Sequence, residues 1–543
     1  MSNWNYAEVI EAIAEIQPQA PAITQGHRTL SWEQVERESR ALAQWLLDKG
    51  LSHQETVAEY LYNCPEYLIG VIATMRAGLI PVNTNYRYGT EELSYLWDNA
   101  DARVVIFHGS FVDTVASMKD AMPKVVAWLF VDDGSAPCPE WATNYQDVIA
   151  ETPEVIERPA PLSGDDLLFM YTGGTTGMPK GVMWRQDDLF CRLNVGAYRR
   201  WDLEGGLEAM KHRLRELGPS LPLLPACPLM HGTGQFQALE SLIEGGHVIL
   251  LESRHYDPAE LAATIDAKQV AQLIIVGDPF ARPLVAEIQA HPGKYHFDSL
   301  KSILSTGAMF SQDMKDALAA FKPRLLLIDS LGSSEAIGVG TSLSRGNDTT
   351  TTGTFTVSQQ VRVLSEDNRD VVPGSGEIGM VALGGRVPLG YYKDEAKTTA
   401  TFRVIDGKRY SIPGDYAIVS TDGTVNFMGR GSQCINTAGE KVYPEEVEEV
   451  LKRHESVADA CVVGVPDERY GEVVVGIVEL IASAPRPDPE ALTEHVRQHL
   501  ARYKAPRSIR FVDTIGRSPS GKMDYARHKR EAIAFVANSS NPS

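Results

Sequence analysis

Four glycines, three threonines and a lysine fall within the eleven residues Tyr171-Thr-Gly-Gly-Thr-Thr-Gly-Met-Pro-Lys-Gly181. Glycines let a backbone turn sharply and bring its N–H groups close to a ligand. The hydroxyls of Thr172, Thr175 and Thr176 and the ammonium of Lys180 add donors and positive charge. This is the chemistry of a loop that holds phosphate oxygens. No Gly-Lys-Ser/Thr follows at the spacing of a Walker A loop, so that class is excluded. Two other stretches carry reactive groups. Pro225-Ala-Cys-Pro-Leu-Met-His231-Gly-Thr-Gly234 ends an apolar run with a histidine beside glycines. That ring reads equally as a packed structural imidazole or a functional one. Leu325-Leu-Leu-Ile-Asp329 leads into Ser330-Leu-Gly-Ser-Ser-Glu335. A strand followed by such a turn sets a carboxylate at the carboxyl end of a sheet, where α/β proteins bind ligands.

The flanking patterns say what must position these groups. The apolar run 167–170 reads as a buried strand that ends at the glycine loop. Residues 6–50 read as helical, with Ser31-Trp-Glu-Gln34 resembling a capping box. Strand-like and helix-like pieces then alternate at 57–61, 67–77, 80–82, 91–100, 103–107 and 125–131. After a helical stretch at 184–200 and a charged, exposed one at 203–218, the alternation resumes at 247–252, 257–267, 273–276 and 302–305. This argues for parallel sheets covered by helices. From about Thr354 short strands with Gly and Pro turns predict an antiparallel or barrel-like subdomain. From Gly431 onward the order strand, helix, strand, strand, helix, strand predicts a compact α+β unit. The expected fold is therefore α/β. A large N-terminal domain (residues 1–430) of stacked α/β sheets with a barrel-like β subdomain precedes a small α+β C-terminal domain (431–543).

The chain has 543 residues and a net charge of −20, with 43% hydrophobic and 22% charged residues. That size calls for more than one domain, and the acidic balance argues against a nucleic-acid partner. No run of eighteen apolar residues and no basic leader are present, so no integral membrane segment and no signal peptide are expected. Six scattered cysteines without a Cys-x-x-Cys pair fit reduced thiols and a cytoplasmic location. The last residues, 538–543, read as a disordered tail.

The order of these signals resembles the superfamily of AMP-forming acyl-CoA synthetases, firefly luciferase-like enzymes and peptide-synthetase adenylation domains, over nearly the whole chain. Tyr171 to Gly181 resembles the family's phosphate loop, and Pro228-Leu-Met-His231 its strand-end motif. Leu331-Gly-Ser-Ser-Glu335 is similar to Tyr-Gly-x-Thr-Glu, and Tyr410-Ser-Ile-Pro-Gly-Asp415 to the Thr-Gly-Asp motif. Gly429-Arg430 with Gly439-Glu-Lys-Val-Tyr-Pro444 resembles the hinge and the motif after it, and Ser518-Pro-Ser-Gly-Lys522 the C-terminal lysine motif.

The resemblance implies a two-step reaction. A carboxylate attacks the α-phosphate of ATP to give acyl-AMP and pyrophosphate, and the thiol of coenzyme A then displaces AMP. It implies that Thr172, Gly173, Gly174, Thr175, Thr176, Gly177 and Lys180 hold the β- and γ-phosphates, and that Thr175 and Glu335 hold Mg²⁺. Gly307 and Ala308, with Ser330, Leu331, Gly332 and Ser334, would lie along the nucleotide. Asp415 would accept from the ribose hydroxyls and Arg430 would hold the ribose or phosphate end. Lys522 would reach the attacking carboxylate oxygen and the α-phosphate, His231 would gate the acid, and Gly439 and Lys441 would line the path of the thiol. The small domain would be mobile, rotating about Ser432 between the two steps. Three positions depart from the family pattern: Leu331 replaces the aromatic residue that packs on adenine, Ser432 stands for Asp or Lys, and Asn436 for a common Lys.

Rival readings are an adenylation enzyme for an aryl or other acid, transfer to a carrier protein, a luciferase, and a regulator that binds nucleotide without catalysis. Only about twenty residues follow Lys522, too few for a carrier domain, and Lys522, Glu335 and Asp415 are all present, which speaks against a non-catalytic binder. The segments 81–88, 170–184 and 330–335 look most like those of bacterial synthetases for fatty acids and steroid side-chain acids. The expected pocket wall, 232–239 and 337–340, has no charged side chain. A hydrophobic monocarboxylic acid is the expected substrate, and the sequence allows a homodimer.

Overall fold

The computed structural model describes residues 3–153, 156, 158, 160–174, 177–346, 352–437, 440–467, 470–482, 484–518, 521 and 523–539. The chain folds as two compact units. Met1–Thr349 with Gly384–Ser411 form one, and Thr350–Leu383 with Ile412–Ser543 the other.

Two mixed sheets build the first unit. One runs in the order Gly390–Tyr391, Gly177–Arg185, Leu167–Gly174, Ile80–Asn83, Thr56–Tyr60, Ala102–His108, Ala127–Val131 and Thr143–Asn144. Its strands are parallel from Leu167–Gly174 onward. The two at the other edge are antiparallel. In the other sheet, Arg28–Ser31, Pro21–Gln25, His247–Leu250, Pro222–Pro225, Gln272–Ile275, Ser302–Thr306, Leu326–Ser333 and Ala336–Arg345 follow one another, with a parallel centre. The parallel strands are near-continuous buried apolar runs such as Val104–Phe107 and Leu273–Ile275, as sheets covered on both faces require. Helix Pro65–Arg76 is buried at every residue, with proline in its first turn, where a missing N–H breaks no bond. Arg76 keeps its charge inside because the Glu11 and Glu36 carboxylates accept from it. The Asn63 amide ties the two sheets together, donating to Cys227 O at 3.1 Å and accepting from Leu229 N at 2.7 Å.

The N-terminal stretch read as all helical is interrupted. Helices Tyr6–Ile16 and Trp32–Asp48 flank a hairpin, Pro21–Gln25 with Arg28–Ser31. Gln25 pairs with Arg28, so Gly26 and His27 form a two-residue turn, and Gly26 has φ +55°. A glycine at positive φ in such a turn, between the inward-facing Ile23 and Leu30, favours the hairpin over a helix. The capping box holds: Ser31 Oγ accepts from Gln34 N at 3.3 Å and Gln34 Oε1 from Ser31 N at 2.8 Å.

In the second unit the barrel-like expectation becomes an open antiparallel sheet. Its order is Thr354–Val357, Val425–Arg430, Asp415–Val419, Ile378–Gly384 and Val361–Leu364. No pair among the described residues closes it. Period-two patterning fixes which face is buried but carries no information on closure. Residues 431–543 form the expected α+β fold around strands Val457–Asp467 and Gly471–Leu480. Helices Pro444–Lys452 and Pro489–His499 cover one face with Val447, Leu451, Leu492 and Val496. A closing helix, Tyr525–Ser539, covers the other with Ala532 and Val536. It takes in Asn538 and Ser539, which had been read as tail, whereas residues 540–543 lie outside the described ones. No helix among the described residues is long and apolar enough to cross a membrane.

Glu240, in the first unit's helix Gly232–Ile243, and Glu244, its C-cap residue, lie one turn apart. Burial pushes their carboxyls up to about 8 and about 7. A folded carboxyl that keeps its proton longer than the unfolded one adds stability that is complete below about pH 4 and is lost as pH rises through 7 to 8. Glu240→Gln is expected to equal the parent at pH 4 and to exceed it by roughly 1–3 kcal/mol at pH 9, read from urea midpoints.

Candidate active site

Leu167–Gly174 and Gly177–Arg185 are antiparallel, with Thr172 opposite Lys180 and Gly174 opposite Gly177. The glycine stretch, expected as a loop after a short strand, is therefore the end of a two-stranded ribbon. Both flanks, Leu167–Tyr171 and Val182–Trp184, are apolar or aromatic and take up extended backbone. Thr175 and Thr176 lie outside the described residues. Across the ribbon, a Cβ on Gly181 would lie 2.6 Å from the Tyr171 ring, so only glycine fits there. The Tyr171 hydroxyl donates to Asn99 Oδ1 at 2.6 Å.

The buried Asn83 side chain fixes the ribbon's base. Its Oδ1 accepts from Tyr171 N at 2.6 Å, and its Nδ2 donates to Tyr171 O at 2.9 Å and to Met230 O at 2.7 Å. One amide thus joins the ribbon to the segment that delivers His231. His231 is the N-cap residue of the twelve-residue helix Gly232–Ile243. The positive end of that helix favours an anion nearby. A Cβ on Gly232 would come within 3.1 Å of Ser334 Oγ. Gly307 has φ +87° at the end of strand Ser302–Thr306, and a Cβ there would lie 3.8 Å from Thr233 Oγ1. Ala308 packs on the neighbouring core.

Ser330, Leu331 and Gly332 belong to strand Leu326–Ser333, and Ser334 and Glu335 form the tight turn into Ala336–Arg345. Two residues of the outer ribbon and its edge hold this turn. Trp184, fully buried, donates from Nε1 to Ser334 O at 2.9 Å, and the Tyr391 hydroxyl donates to Glu335 Oε1 at 2.8 Å. Tyr391 comes from a strap at the ribbon's edge. Leu389 N donates to Met183 O and Tyr392 N to Gly181 O, each at 2.8 Å. Three residues further, Asp394 Oδ2 accepts from Lys180 Nζ at 2.6 Å. That bond holds the Asp394 carboxyl below its ordinary range. Below the turn's strand, burial raises Asp329 to about 6 although Lys315 Nζ is 3.4 Å away.

Within the first unit the fold thus gathers the ribbon with Lys180, the helix start at His231, Gly307 and the Glu335 turn. Among the described residues no cluster of three or more His, Cys, Asp or Glu could hold a metal ion. Mg²⁺ at Glu335 would complete its shell with phosphate oxygens and water, which suits its preference for hard oxygen donors.

In the second unit Asp415 and Arg430 face each other across adjacent strands, and Arg430 Nε donates to Asp415 Oδ1 at 3.1 Å. Gly429, at φ +108°, lies against the Glu445 carboxyl, which burial raises to about 8. Lys441 lies in strand Glu440–Val442 opposite Asn436, and Ser432 in the short turn 431–433. The side chains of both, and Gly439 and Lys522 entirely, fall outside the described residues. Among the described residues that precede Lys522 in sequence, Arg517 donates to both Asp459 oxygens at 2.6 and 2.9 Å and to Gly521 O at 3.2 Å.

Sequence reasoning missed Asn83, Trp184, Tyr391 and Asp394. Asp394 had a local signal, an N-cap aspartate before Glu395, but its pairing with Lys180, 214 residues away, had none.

The fold and these motifs define an adenylate-forming enzyme, and comparisons bear this out. Residues 10–392 match the AMP-binding enzyme family and residues 446–522 the AMP-binding enzyme C-terminal domain. A medium/long-chain-fatty-acid–CoA/3-oxocholest-4-en-26-oate–CoA ligase of Mycobacterium marinum is 38% identical over 98% of both chains. A 3-oxocholest-4-en-26-oate–CoA ligase of Rhodococcus rhodochrous is 38% identical over 96% of this chain and 94% of its own. In fold, the anthranilate CoA ligase AuaEII in complex with anthranoyl-AMP superposes with a TM-score of 0.83 at 21% identity over 99% of both chains. ATP-bound MatB from Rhodopseudomonas palustris does so with 0.80 at 23% identity over 98% of this chain and all of its own. The chain belongs to the AMP-binding enzyme family, as an AMP-forming acyl-CoA synthetase.

Asn83→Ala would leave Tyr171 N, Tyr171 O and Met230 O without their buried partner. A loss of about 3 kcal/mol in unfolding free energy is expected, with the KM for ATP rising more than kcat falls. Urea unfolding and steady-state kinetics read both.

Proposed function

We propose that the protein activates a hydrophobic monocarboxylic acid, a medium- or long-chain fatty acid or a steroid side-chain acid, to its acyl-CoA through acyl-AMP. The observation that carries this is the full-length similarity to ligases named for those acids. The absence of charged side chains from Gly232 to Leu239 supports it, offering no partner for an amino acid's α-amino group. Thr172, Thr175, Thr176, Lys180 and the backbone of Gly173, Gly174 and Gly177 bind the β- and γ-phosphates. Glu335, oriented by Tyr391, is the metal-facing carboxylate with Thr175, and Mg²⁺ when bound neutralises phosphate charge. Gly307, Ala308, Ser330 to Gly332 and Ser334 line the nucleotide, with Leu331 giving an aliphatic rather than an aromatic contact to adenine. Asp415 takes the ribose hydroxyls and Arg430 its phosphate end. His231 borders the entry of the acid.

Lys522 stabilises the charge that develops as the acid oxygen attacks the α-phosphate. The small domain, 431–543, turns about Ser432 after pyrophosphate leaves, bringing Gly439 and Lys441 to the path of the CoA thiol. We place the enzyme in the cytoplasm, with no nucleic-acid partner, and leave a homodimer open to sedimentation analysis.

With ATP, CoA and a panel of acids, AMP and pyrophosphate are the expected products, and ADP with phosphate would overturn the reading. Lys522→Ala is expected to slow adenylation by about two to three decades while sparing thioester formation from supplied acyl-AMP. Gly439→Leu should do the reverse. Equal losses in both half-reactions would reject the two-pose mechanism.

A further inference from the structure

Lys180 is the cation of the glycine-rich stretch Tyr171–Gly181, and its ammonium already has an anionic partner. Asp394 Oδ2 accepts from Lys180 Nζ at 2.6 Å. Isolated ion pairs with both partners about a third exposed, as these are at 36% and 30%, contribute little, because two mobile chains must be aligned. Here the carboxylate is aligned beforehand. Asp394 caps helix Glu395–Thr401, its Oδ1 accepting from Lys397 N at 2.9 Å. The strap that carries it is bonded to the ribbon at Met183 O and Gly181 O, and folded on itself by Tyr391 N to Thr398 Oγ1 at 2.9 Å. Lys180 is held by its strand pairing with Thr172. An anion is thus fixed beside the group assigned to the terminal phosphates, on the element that also delivers Tyr391 to Glu335.

We propose that Asp394 is a positioning residue that competes with phosphate oxygens for Lys180, holding the ammonium in place before the triphosphate arrives and taking it back as pyrophosphate departs. This rests on the proposed role of Lys180 in holding the β- and γ-phosphates. The physical logic is exchange of one anion for another. A triphosphate with Mg²⁺ outcompetes a single carboxylate for the lysine, while pyrophosphate, with fewer contacts once acyl-AMP has formed, is the ligand most easily displaced. The carboxylate therefore weakens retention of any phosphate ligand that needs Lys180 by the cost of breaking the pair, and the effect on turnover is felt at the weaker-held product, pyrophosphate. During turnover this relieves inhibition by released pyrophosphate without changing the reaction's equilibrium. The arrangement also keeps an isolated ammonium from straying to other acids in a strongly acidic protein.

Asp394→Asn tests this, because the amide keeps a cap acceptor for Lys397 N and removes the charge. Magnesium pyrophosphate binding by calorimetry on the full-length protein needs no acid substrate and gives the first readout. The Kd is expected to fall roughly three- to fivefold, the scale of one preorganised exposed pair. Product inhibition by pyrophosphate in the complete reaction should tighten by the same factor, and the melting midpoint of the free protein should fall only slightly. In a Lys180→Ala background the Asp394→Asn change should have no further effect on pyrophosphate. A Kd that is unchanged or raised in Asp394→Asn overturns the proposal. So does an equal tightening with and without Lys180, which would make Asp394 a general repulsive charge. No pyrophosphate binding by the parent protein would overturn this inference together with the role of the ribbon, whereas normal binding untouched by Asp394→Asn would overturn this inference alone.

Discussion

One buried amide holds the reactive half of the first unit together. Asn83 ends an interior parallel strand, and its side chain satisfies both backbone groups of Tyr171 and the carbonyl of Met230. An interior position exposes three polar backbone groups that water cannot reach, and each left unpaired would cost about 1–3 kcal/mol. A side chain with both a donor and an acceptor is needed, which excludes aspartate and leucine of similar size. The ribbon carrying Lys180 and the helix starting at His231 therefore cannot shift independently. The relative placement of the ribbon and the helix start follows from that single constraint.

The second organising feature is charge pairing. The protein is strongly acidic, and cations in and beside the candidate site are met by carboxylates within the fold: Lys180 by Asp394, Arg430 by Asp415, Arg517 by Asp459. Long-range attraction for an anionic nucleotide is absent, and local donors must do the binding. Pairing fixes where each cation points before a ligand arrives, at the expense of competition with that ligand. Such prior orientation is what catalysis by electrostatic stabilisation requires.

Much of the chain was readable in advance for a definite reason. Parallel strands buried on both faces must be apolar runs, and half-exposed helices between them must show period 3.6, so Thr56–Tyr60, Thr90–Asn99, Ala102–His108 and their counterparts announce themselves. The errors fell where short-range signals conflict with tertiary pairing. The hairpin at 21–31 is too short to break an apparent helical pattern. The glycine stretch has turn composition yet is mostly strand, because its two halves pair with each other, Tyr171 with Gly181 and Thr172 with Lys180. Composition locates turns but does not count the residues on each side that pair.

By itself the sequence supplied the candidate chemistry: a glycine- and threonine-rich stretch with a lysine suited to phosphate, a carboxylate at a strand end, and the order in which such groups occur along the chain. Those properties belong to residue types and local spacing, and they survive without knowledge of any long-range contact. Only the tertiary structure decided how the groups are held. Asn83 and Met230, Trp184 and Ser334, Tyr391 and Glu335, and Lys180 and Asp394 are each separated by 56 to 214 residues. A hydrogen bond across such a gap leaves no periodic or compositional trace in either segment, because its partners are brought together by sheet order and strand register. Those are properties of the whole packed unit and of no single stretch within it.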